Sequence, residues 1–490
     1  MKVLLLYPEF PDTFWSFKHA LKFIDKKAGN PPLGLLTIAA MLPHGWEKRL
    51  VDINVQALTD ADLAWADLVM ISGMVVQQES AHELIDRVKA AGKTVVAGGP
   101  LFTGQYEEFP TVDYFVLDEG EITLPRFLFD YSQGKPEDIY TTTEYADMSQ
   151  TPIPLWELAY LKKYATLSVQ FSRGCPFNCD FCNITAMLGH KPRTKSAKQL
   201  IAELDRLYDL GWRDSVFIVD DNFIGNKKIL KEEVLPAMIE WRKGKSGVAL
   251  NTEVSINLSD DPELMRLMAA AGFIEVFVGI ETPSEDGLAE CSKSQNRNRD
   301  LIASVHRIQA AGMGVQGGFI VGFDSDTETI FKRQEEFIMK SGITSAMIGL
   351  LQAPLGTKLY ARMKEEGRLT GTMTGDNADG TTNIIPKLDL SVLRDGYFSL
   401  VRNLYAPKAY YQRAKVFLKT VKAPQIKMHL DWTYIRALFR SMVALGIKGK
   451  ERVEYWKLFL WALFRRPRLF PEAITLAIYG YHFRVLAERY

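Results

Sequence analysis

Ser172-Arg173-Gly174-Cys175-Pro176-Phe177-Asn178-Cys179-Asp180-Phe181-Cys182 is the stretch on which the reading of the chain turns. The chain has 490 residues and four cysteines, and Cys175, Cys179 and Cys182 all fall here. Thiolates bind soft metals and iron–sulfur clusters, and closely spaced ones wrap a single site. A [4Fe–4S] cluster normally takes four protein thiolates, so three local cysteines leave one iron open to a ligand that is not protein. Two plainer readings stand beside this one. The thiols could share a zinc ion with a distant fourth ligand, although structural zinc sites usually pair their ligands as two short motifs. Two of them could form a disulfide and leave one spare, which four cysteines without a secretory signal disfavour. The spacing favours the cluster. Cys291 stands alone in Glu290-Cys291-Ser292 and reads as a structural thiol.

Outward from that stretch, length predicts about two to four domains. Hydrophobic residues make up 47% of the chain, enough for full cores. No segment reaches the ~20 uninterrupted apolar residues of a membrane span. The opening Met1-Lys2-Val3-Leu4-Leu5-Leu6-Tyr7-Pro8 is short, stops at proline and reads as a first strand. Free thiols and an oxygen-sensitive cluster suit a reducing cytoplasm. Net charge is zero, yet residues 401–490 carry 18 Lys and Arg against 5 Asp and Glu. A basic tail on an acidic body predicts an anionic surface or ligand at that end; no nucleic-acid partner is expected.

Before the cysteines, residues 1–130 alternate short apolar runs with helical patterns. Strands are expected at Val3–Tyr7, Arg49–Asp52, Leu68–Ser72, Thr94–Ala97 and Tyr114–Leu117. Such alternation argues a parallel, doubly wound sheet. Ligands on these sheets sit beyond the carboxyl ends of the strands. The candidate loops there are Ser72-Gly73-Met74, Gly98-Gly99-Pro100 and Asp118-Glu119-Gly120-Glu121. No G-x-G-x-x-G follows the first strand, so a dinucleotide is not expected. The domain is placed at 1–135 and an irregular, proline-bearing linker at 136–165.

From residue 166 to 368 the alternation resumes. Strands are expected at Leu167–Phe171, Ser215–Val219, Ala249–Ser255, Ile274–Gly279, Gly314–Val321 and Ser345–Gln352. Polar groups collect at their carboxyl ends: Asp220-Asp221-Asn222, Glu253 and Ser255, Glu281, Gly318 through Gly322, and Gln352. Asp261, before Pro262, reads as a helix cap. Glu253 and Glu281 lie inside apolar strands, where an unpaired carboxylate is costly.

The Cys-x3-Cys-x-Phe-Cys spacing at the end of an apolar strand resembles the radical S-adenosylmethionine (SAM) superfamily. That resemblance implies a partial (β/α)6 barrel, a [4Fe–4S] cluster on Cys175, Cys179 and Cys182, and SAM on the open iron. It implies SAM contacts from Phe181, Asp220, Glu253, Ser255, Glu281, Gly318, Gly322 and Gln352. The family's Gly-Gly-Glu after strand two is replaced here by Asp220-Asp221-Asn222, and its acid after strand five by Ser325. Joined to this barrel, the N-terminal sheet resembles the cobalamin-binding domain of the B12-dependent branch. Ser72, Gly73, Met74, Gly98, Gly99, Glu119, Gly120 and Glu121 then become cofactor contacts. The cobalt-ligating histidine of the family's Asp-x-His-x-x-Gly falls at Asn54, so no histidine on cobalt is expected. Asp118 stands where the related loop often has glycine.

Residues 369–490 read as a helical basic domain after a Gly/Thr/Asp/Asn-rich loop. Tyr455 through Arg466 is apolar with basic residues at its end, which fits either a packed helix or an interfacial one. The terminal Ala473–Arg484, with Phe14-Trp15-Ser16-Phe17 and Pro31-Pro32-Leu33-Gly34-Leu35, resembles the subgroup of hopanoid and bacteriochlorophyll C-methyltransferases. The resemblance implies methylation of an unactivated carbon on a hydrophobic substrate of isoprenoid or tetrapyrrole type. Its cofactors would be the cluster, SAM and methylcobalamin, and its electron donor of flavodoxin or ferredoxin type. A non-methylating cyclase using the same cofactors is the alternative. Peripheral contact with the inner face of the membrane through the basic tail is a further expectation.

Overall fold

A computed structural model describes residues 1–489 apart from 372, 425 and 427–431. The first sheet has six strands: β1 (Lys2–Tyr7), β2 (Glu47–Asp52), β3 (Leu68–Ser72), β4 (Thr94–Gly98), β5 (Tyr114–Val116) and β6 (Ile139–Tyr140). Their order is β2-β1-β3-β4-β5-β6, and every pairing is parallel. Leu4, Leu6, Val69, Ile71 and Val95 pack into one apolar cluster; Val3, Leu5, Leu68, Met70 and Val96 pack into another. Each strand thus buries both faces, which is why its sequence is a continuous apolar run rather than an alternating one. The winding reverses between β1 and β3, and that crevice at the carboxyl edge is where such sheets receive a ligand.

The stretch expected to be an irregular linker supplies β6, with Ile139 opposite Phe115 and Tyr140 opposite Val116. Two residues are too few to show a period. They extend because β5 offers an unpaired edge and Tyr140 is buried beneath it. Further along, Trp156 and Tyr164 are fully buried, and the Tyr164 hydroxyl donates to Asp52 at 2.7 Å.

After β7 (Leu167–Val169) the cysteine loop lies between two short strands, β8 (Ser172–Arg173) and β9 (Arg193–Thr194), which pair antiparallel. The second sheet continues with β10 (Val216–Ile218), β11 (Leu250–Glu253), β12 (Phe273–Glu281), β13 (Gly314–Val321) and β14 (Ala346–Leu350). Its order, β14-β13-β12-β11-β10-β7, is sequential and parallel throughout, so all six carboxyl ends open at one mouth. Val276, Val278 and Ile280 on β12 are fully buried, while Glu275, Phe277 and Gly279 between them keep partial exposure. This alternation marks an outer face packed on helices and an inner face lining a chamber.

The chamber is walled from both ends of the chain. Trp15 packs edge-on against Phe277 at 5.5 Å, and its indole N–H donates to the Met347 sulfur at 3.0 Å. Phe14 stacks on Phe483 at 4.3 Å, in the helix Phe470–Ala487. Four further helices, Leu390–Tyr405, Pro407–Thr420, Trp432–Val443 and Arg452–Arg465, complete a mainly helical C-terminal region. Among the described residues no helix is long and apolar enough to cross a membrane.

Candidate functional site

The cysteine loop is fixed from three sides. Gly174 lies at φ 93°, and a Cβ there would come within 2.9–3.0 Å of the carbonyl oxygens of Leu188, Gly189 and Lys191. Only glycine fits both that conformation and that clearance. Below, Asp220 accepts from the Phe171 amide at 2.8 Å and from the Ser172 hydroxyl at 2.6 Å, tying the end of β10 to the entry of the loop. Asn222 accepts from the Ser255 amide at 3.1 Å and presents its side-chain NH2 4.0 Å from the Cys175 sulfur. Above, residues 291–296 fold back over the loop. The Cys291 carbonyl accepts from Asp180 at 3.1 Å, and the Gln295 amide lies 3.8 Å from the Cys179 sulfur.

Cys175, Cys179 and Cys182 are half-buried, whereas Cys291 is buried. Burial first, then the neighbouring thiols, push Cys182 up to about 12. Three clustered thiols with amide donors beside two sulfurs fit an iron–sulfur cluster. Such a cluster stabilises the thiolates and takes hydrogen bonds at sulfur. The Cys291 sulfhydryl donates to the Leu288 carbonyl at 3.8 Å inside an apolar cluster, a structural position as expected from its isolation.

The strand-end residues separate into two groups. Asp220 is fully buried and both its oxygens are taken by Phe171 and Ser172, so it faces the protein rather than the chamber. Its neighbour Asp221 lies on the opposite, partly exposed face; burial raises it to about 6. Glu253 also keeps partial exposure, and burial followed by the charges of Asp221 and Asp220 pushes it up to about 8. Ser255 donates to Asn257 at 2.7 Å and packs under Asn222. Gly318 has its space filled by Phe277, whose ring would stand 2.8 Å from an added Cβ. Gly322 is required by its φ of 101°. Gln352 is buried; its NH2 donates to Thr381 at 3.2 Å, and among the described residues its oxygen has no partner.

Lys293 was not singled out by sequence. It lies two residues past Cys291, and no motif flags it. Its ammonium is 2.6 Å from Glu281 and 5.9 Å from the centre of the Phe181 ring, and its charge acts on Cys175, Cys179 and Cys182. Glu281 occupies a bulge at the end of β12 with φ 64°, in the left-handed region that a side chain seldom adopts. Unpartnered buried oxygens on Gln295 and Gln352, with the half-exposed Asp221 and Glu253, give the mouth of the barrel acceptors in search of donors. The ammonium and ribose hydroxyls of SAM would supply such donors.

The loops of the first sheet are equally divided. Gly73 and Met74 border the switch-point crevice. A Cβ on Gly73 would meet nothing closer than 3.5 Å, and Met74 is exposed. A cofactor can approach the backbone there, which fits cobalamin. Gly98, Gly99 and Gly120 instead fit tight protein contacts, with added Cβ atoms 2.4 Å from the Val116 oxygen, 2.3 Å from Ser72 Oγ and 2.7 Å from Ile38. Asp118 adopts φ 59°, the conformation that explains glycine in related loops. Asn54 is fully occupied: its oxygen accepts from the Phe10 amide at 2.8 Å, and its NH2 donates to Pro8 at 3.0 Å and Asp52 at 2.7 Å. Glu119 and Glu121 turn away from the crevice to bind Arg173 and Arg193, beside the cysteine loop. The carboxyl edge of the first sheet therefore meets the mouth of the barrel.

A thiol triad at the mouth of a parallel partial barrel, set against a second ligand-binding sheet, defines a radical SAM enzyme with a cobalamin module. Residues 169–336 match the Radical SAM superfamily, residues 27–128 the B12 binding domain, and residues 357–490 a domain of unknown function (DUF4070). The chain is 41% identical to an uncharacterized methyltransferase of Synechocystis, over 99% of its own length and 91% of the relative's. It is 34% identical to the hopanoid C-2 methylase of Rhodopseudomonas palustris, over 95% and 90%. It is 27% identical to the bacteriochlorophyllide d C-12(1)-methyltransferase of Chlorobaculum tepidum, over 70% and 76%. In fold it resembles the cobalamin-dependent SAM radical enzyme OxsB, with a TM-score of 0.63, 15% identity, and 100% of this chain and 80% of that one covered. The chain belongs to the cobalamin-dependent radical SAM family, in the subgroup of the hopanoid and bacteriochlorophyll methyltransferases. Its cofactors are a [4Fe–4S] cluster, SAM and cobalamin.

Proposed function

We propose that this enzyme methylates an unactivated carbon of a hydrophobic polycyclic substrate, of isoprenoid or tetrapyrrole type. The observation that carries the reading is the near full-length likeness to a hopanoid methylase. The cofactors supply the radical and the methyl group, and the protein orients them and keeps water out. Cys175, Cys179 and Cys182 would hold the cluster. Lys293 and Asp221 would offer charge, and Glu253 hydrogen bonds, to SAM at the barrel mouth. Trp15, Phe277, Ile320 and Met347 give the inner face an apolar, partly exposed lining suited to such a substrate. A flavodoxin- or ferredoxin-type protein would deliver the electron. Anaerobic incubation with SAM, methylcobalamin and a panel of hopanoids and tetrapyrroles, read by mass spectrometry, tests the reading. Gain of a methyl group supports it; loss of hydrogen without methyl gain would point to the cyclase alternative.

We propose further that the enzyme meets its substrate at an anionic lipid surface. The helix Arg452–Arg465 buries Tyr455, Leu458 and Ala462 and exposes Val453, Leu460, Leu463 and Phe464. The preceding helix adds Trp432, Ile435, Phe439 and Val443, with Trp432 74% and Phe464 76% exposed. Trp456, Phe459 and Trp461 pack inward in part, and Arg466 donates to the carbonyls of Lys419 and Val421. The lipid-facing charges are therefore sought at Arg465 and Arg468. Each basic residue near an anionic surface contributes about 1 kcal/mol. Sedimentation with anionic vesicles should weaken with salt, and by about tenfold or more in the Arg465→Glu, Arg468→Glu variant. Wild-type protein that ignores such vesicles at low salt would refute the membrane reading.

A further inference from the structure

Four charged side chains meet where the cobalamin-binding sheet touches the cysteine loop. Glu119 is the N-cap and Glu121 lies in the first turn of the helix Gly120–Ser132, which follows β5; Arg173 lies on β8 and Arg193 opposite it on β9. Arg173 donates to Glu119 at 2.7 Å and to both oxygens of Glu121 at 2.9 and 2.7 Å. Arg193 grips both oxygens of Glu119 at 2.9 and 2.7 Å. Side-chain exposures are 13% and 16% for the arginines, 5% and 9% for the glutamates. Thr151 also donates to Glu121 at 2.9 Å, and the Arg193 guanidinium reaches the carbonyls of Ala146 and Leu188.

Charges this deeply buried persist only when paired and hydrogen-bonded. Here two cations answer two anions through planar forks, the geometry that holds a fixed orientation. Arg173 is two residues before Cys175, and β8 is the strand from which the loop departs. A shift of the first sheet would therefore be felt at the first cluster ligand.

We propose that Glu119 and Glu121 are positioning residues: through Arg173 and Arg193 they fix the cysteine loop against the cobalamin-binding sheet and so set the spacing between the two cofactors. The inference rests on the cobalamin-dependent radical SAM reading and adds to it a part for residues that the sequence pointed toward the cofactor itself.

The test uses the full chain and the variant Glu119→Gln, Arg193→Gln, which removes one charge of each sign and leaves Arg173 with Glu121. Hydrogen exchange on metal-free protein should show residues 172–194 losing about tenfold in protection, with the rest of the barrel unchanged. After anaerobic reconstitution, iron content, cobalamin absorbance and 5′-deoxyadenosine formation from SAM alone should stay at the wild-type level. The magnetic interaction between the reduced cluster and cob(II)alamin, read by EPR, should change. Arg193→Lys keeps the charge without the fork and should show a smaller change of the same kind; it also serves if the double variant fails to fold. Wild-type exchange at 172–194 and a wild-type spin interaction would overturn the proposal. Wild-type protein that binds no cobalamin would defeat the functional reading instead, and the exchange data would still decide the clamp.

Discussion

Asp220→Asn should make the protein more stable at pH 8 than at pH 5, relative to wild type. Asp220 is fully buried, and burial raises its carboxyl to about 7 against an ordinary value near 3.9. Between those values the unfolded chain has released the proton and the folded one retains it. Stability therefore falls by about 1.4 kcal/mol per pH unit from about pH 4 to about pH 7, and is level above that. Asparagine has no such slope. It can still accept from the Phe171 amide and donate to the Ser172 hydroxyl, at a loss of about 1 kcal/mol for weaker bonds. From pH 5 to pH 8 the variant should thus gain roughly 3 kcal/mol on wild type. Urea unfolding of the metal-free protein at several pH values, with the variant and wild type in parallel, reads the difference. A stability difference that does not change with pH would refute the argument, because only a proton held by Asp220 in the folded state produces it. Asp220→Ala should be worse than Asp220→Asn at every pH, since it leaves the Phe171 amide buried without an acceptor.

Other expectations are as specific. Alanine at Cys175, Cys179 or Cys182 should abolish the iron absorbance of reconstituted protein, whereas Cys291→Ala should retain it; loss of the cluster in Cys291→Ala would contradict the assignment. Bound cob(II)alamin should show no nitrogen superhyperfine splitting from an axial imidazole, because Asn54 is where the histidine would be and its amide is already engaged; a clear splitting would contradict that. Lys293→Met should destabilise the protein by roughly 3–5 kcal/mol by stranding Glu281, and adding Glu281→Gln should restore much of the loss. Additive effects of the two changes would show that the buried pair is not coupled.

Much of this architecture was legible in the sequence for physical reasons. Two-faced burial gives the strands of the first sheet their continuous apolar runs, so Leu68–Ser72 is legible with its observed bounds. The three thiols announce a metal centre because nothing else requires three thiolates within eight positions. Asp261 as a cap was equally local: its carboxylate accepts from the Leu264 amide at 3.1 Å.

What depends on long-range pairing was not legible. Asp220 and Asp221 are adjacent acids on opposite faces of an extended chain, and only the pairing of β10 with β7 and β11 decides which one sees the chamber. Glu119 and Glu121 look like ligand-binding acids until Arg173 and Arg193 are brought to them across the domain boundary. Lys293 acquires its place only when residues 291–296 fold over the cysteines. The sequence by itself determined the metal centre, because spacing along the chain is what three thiolates around one cluster require. The tertiary structure decided which charged groups serve that chemistry and which hold the domains together, because a carboxylate has no role until burial and a partner fix its charge.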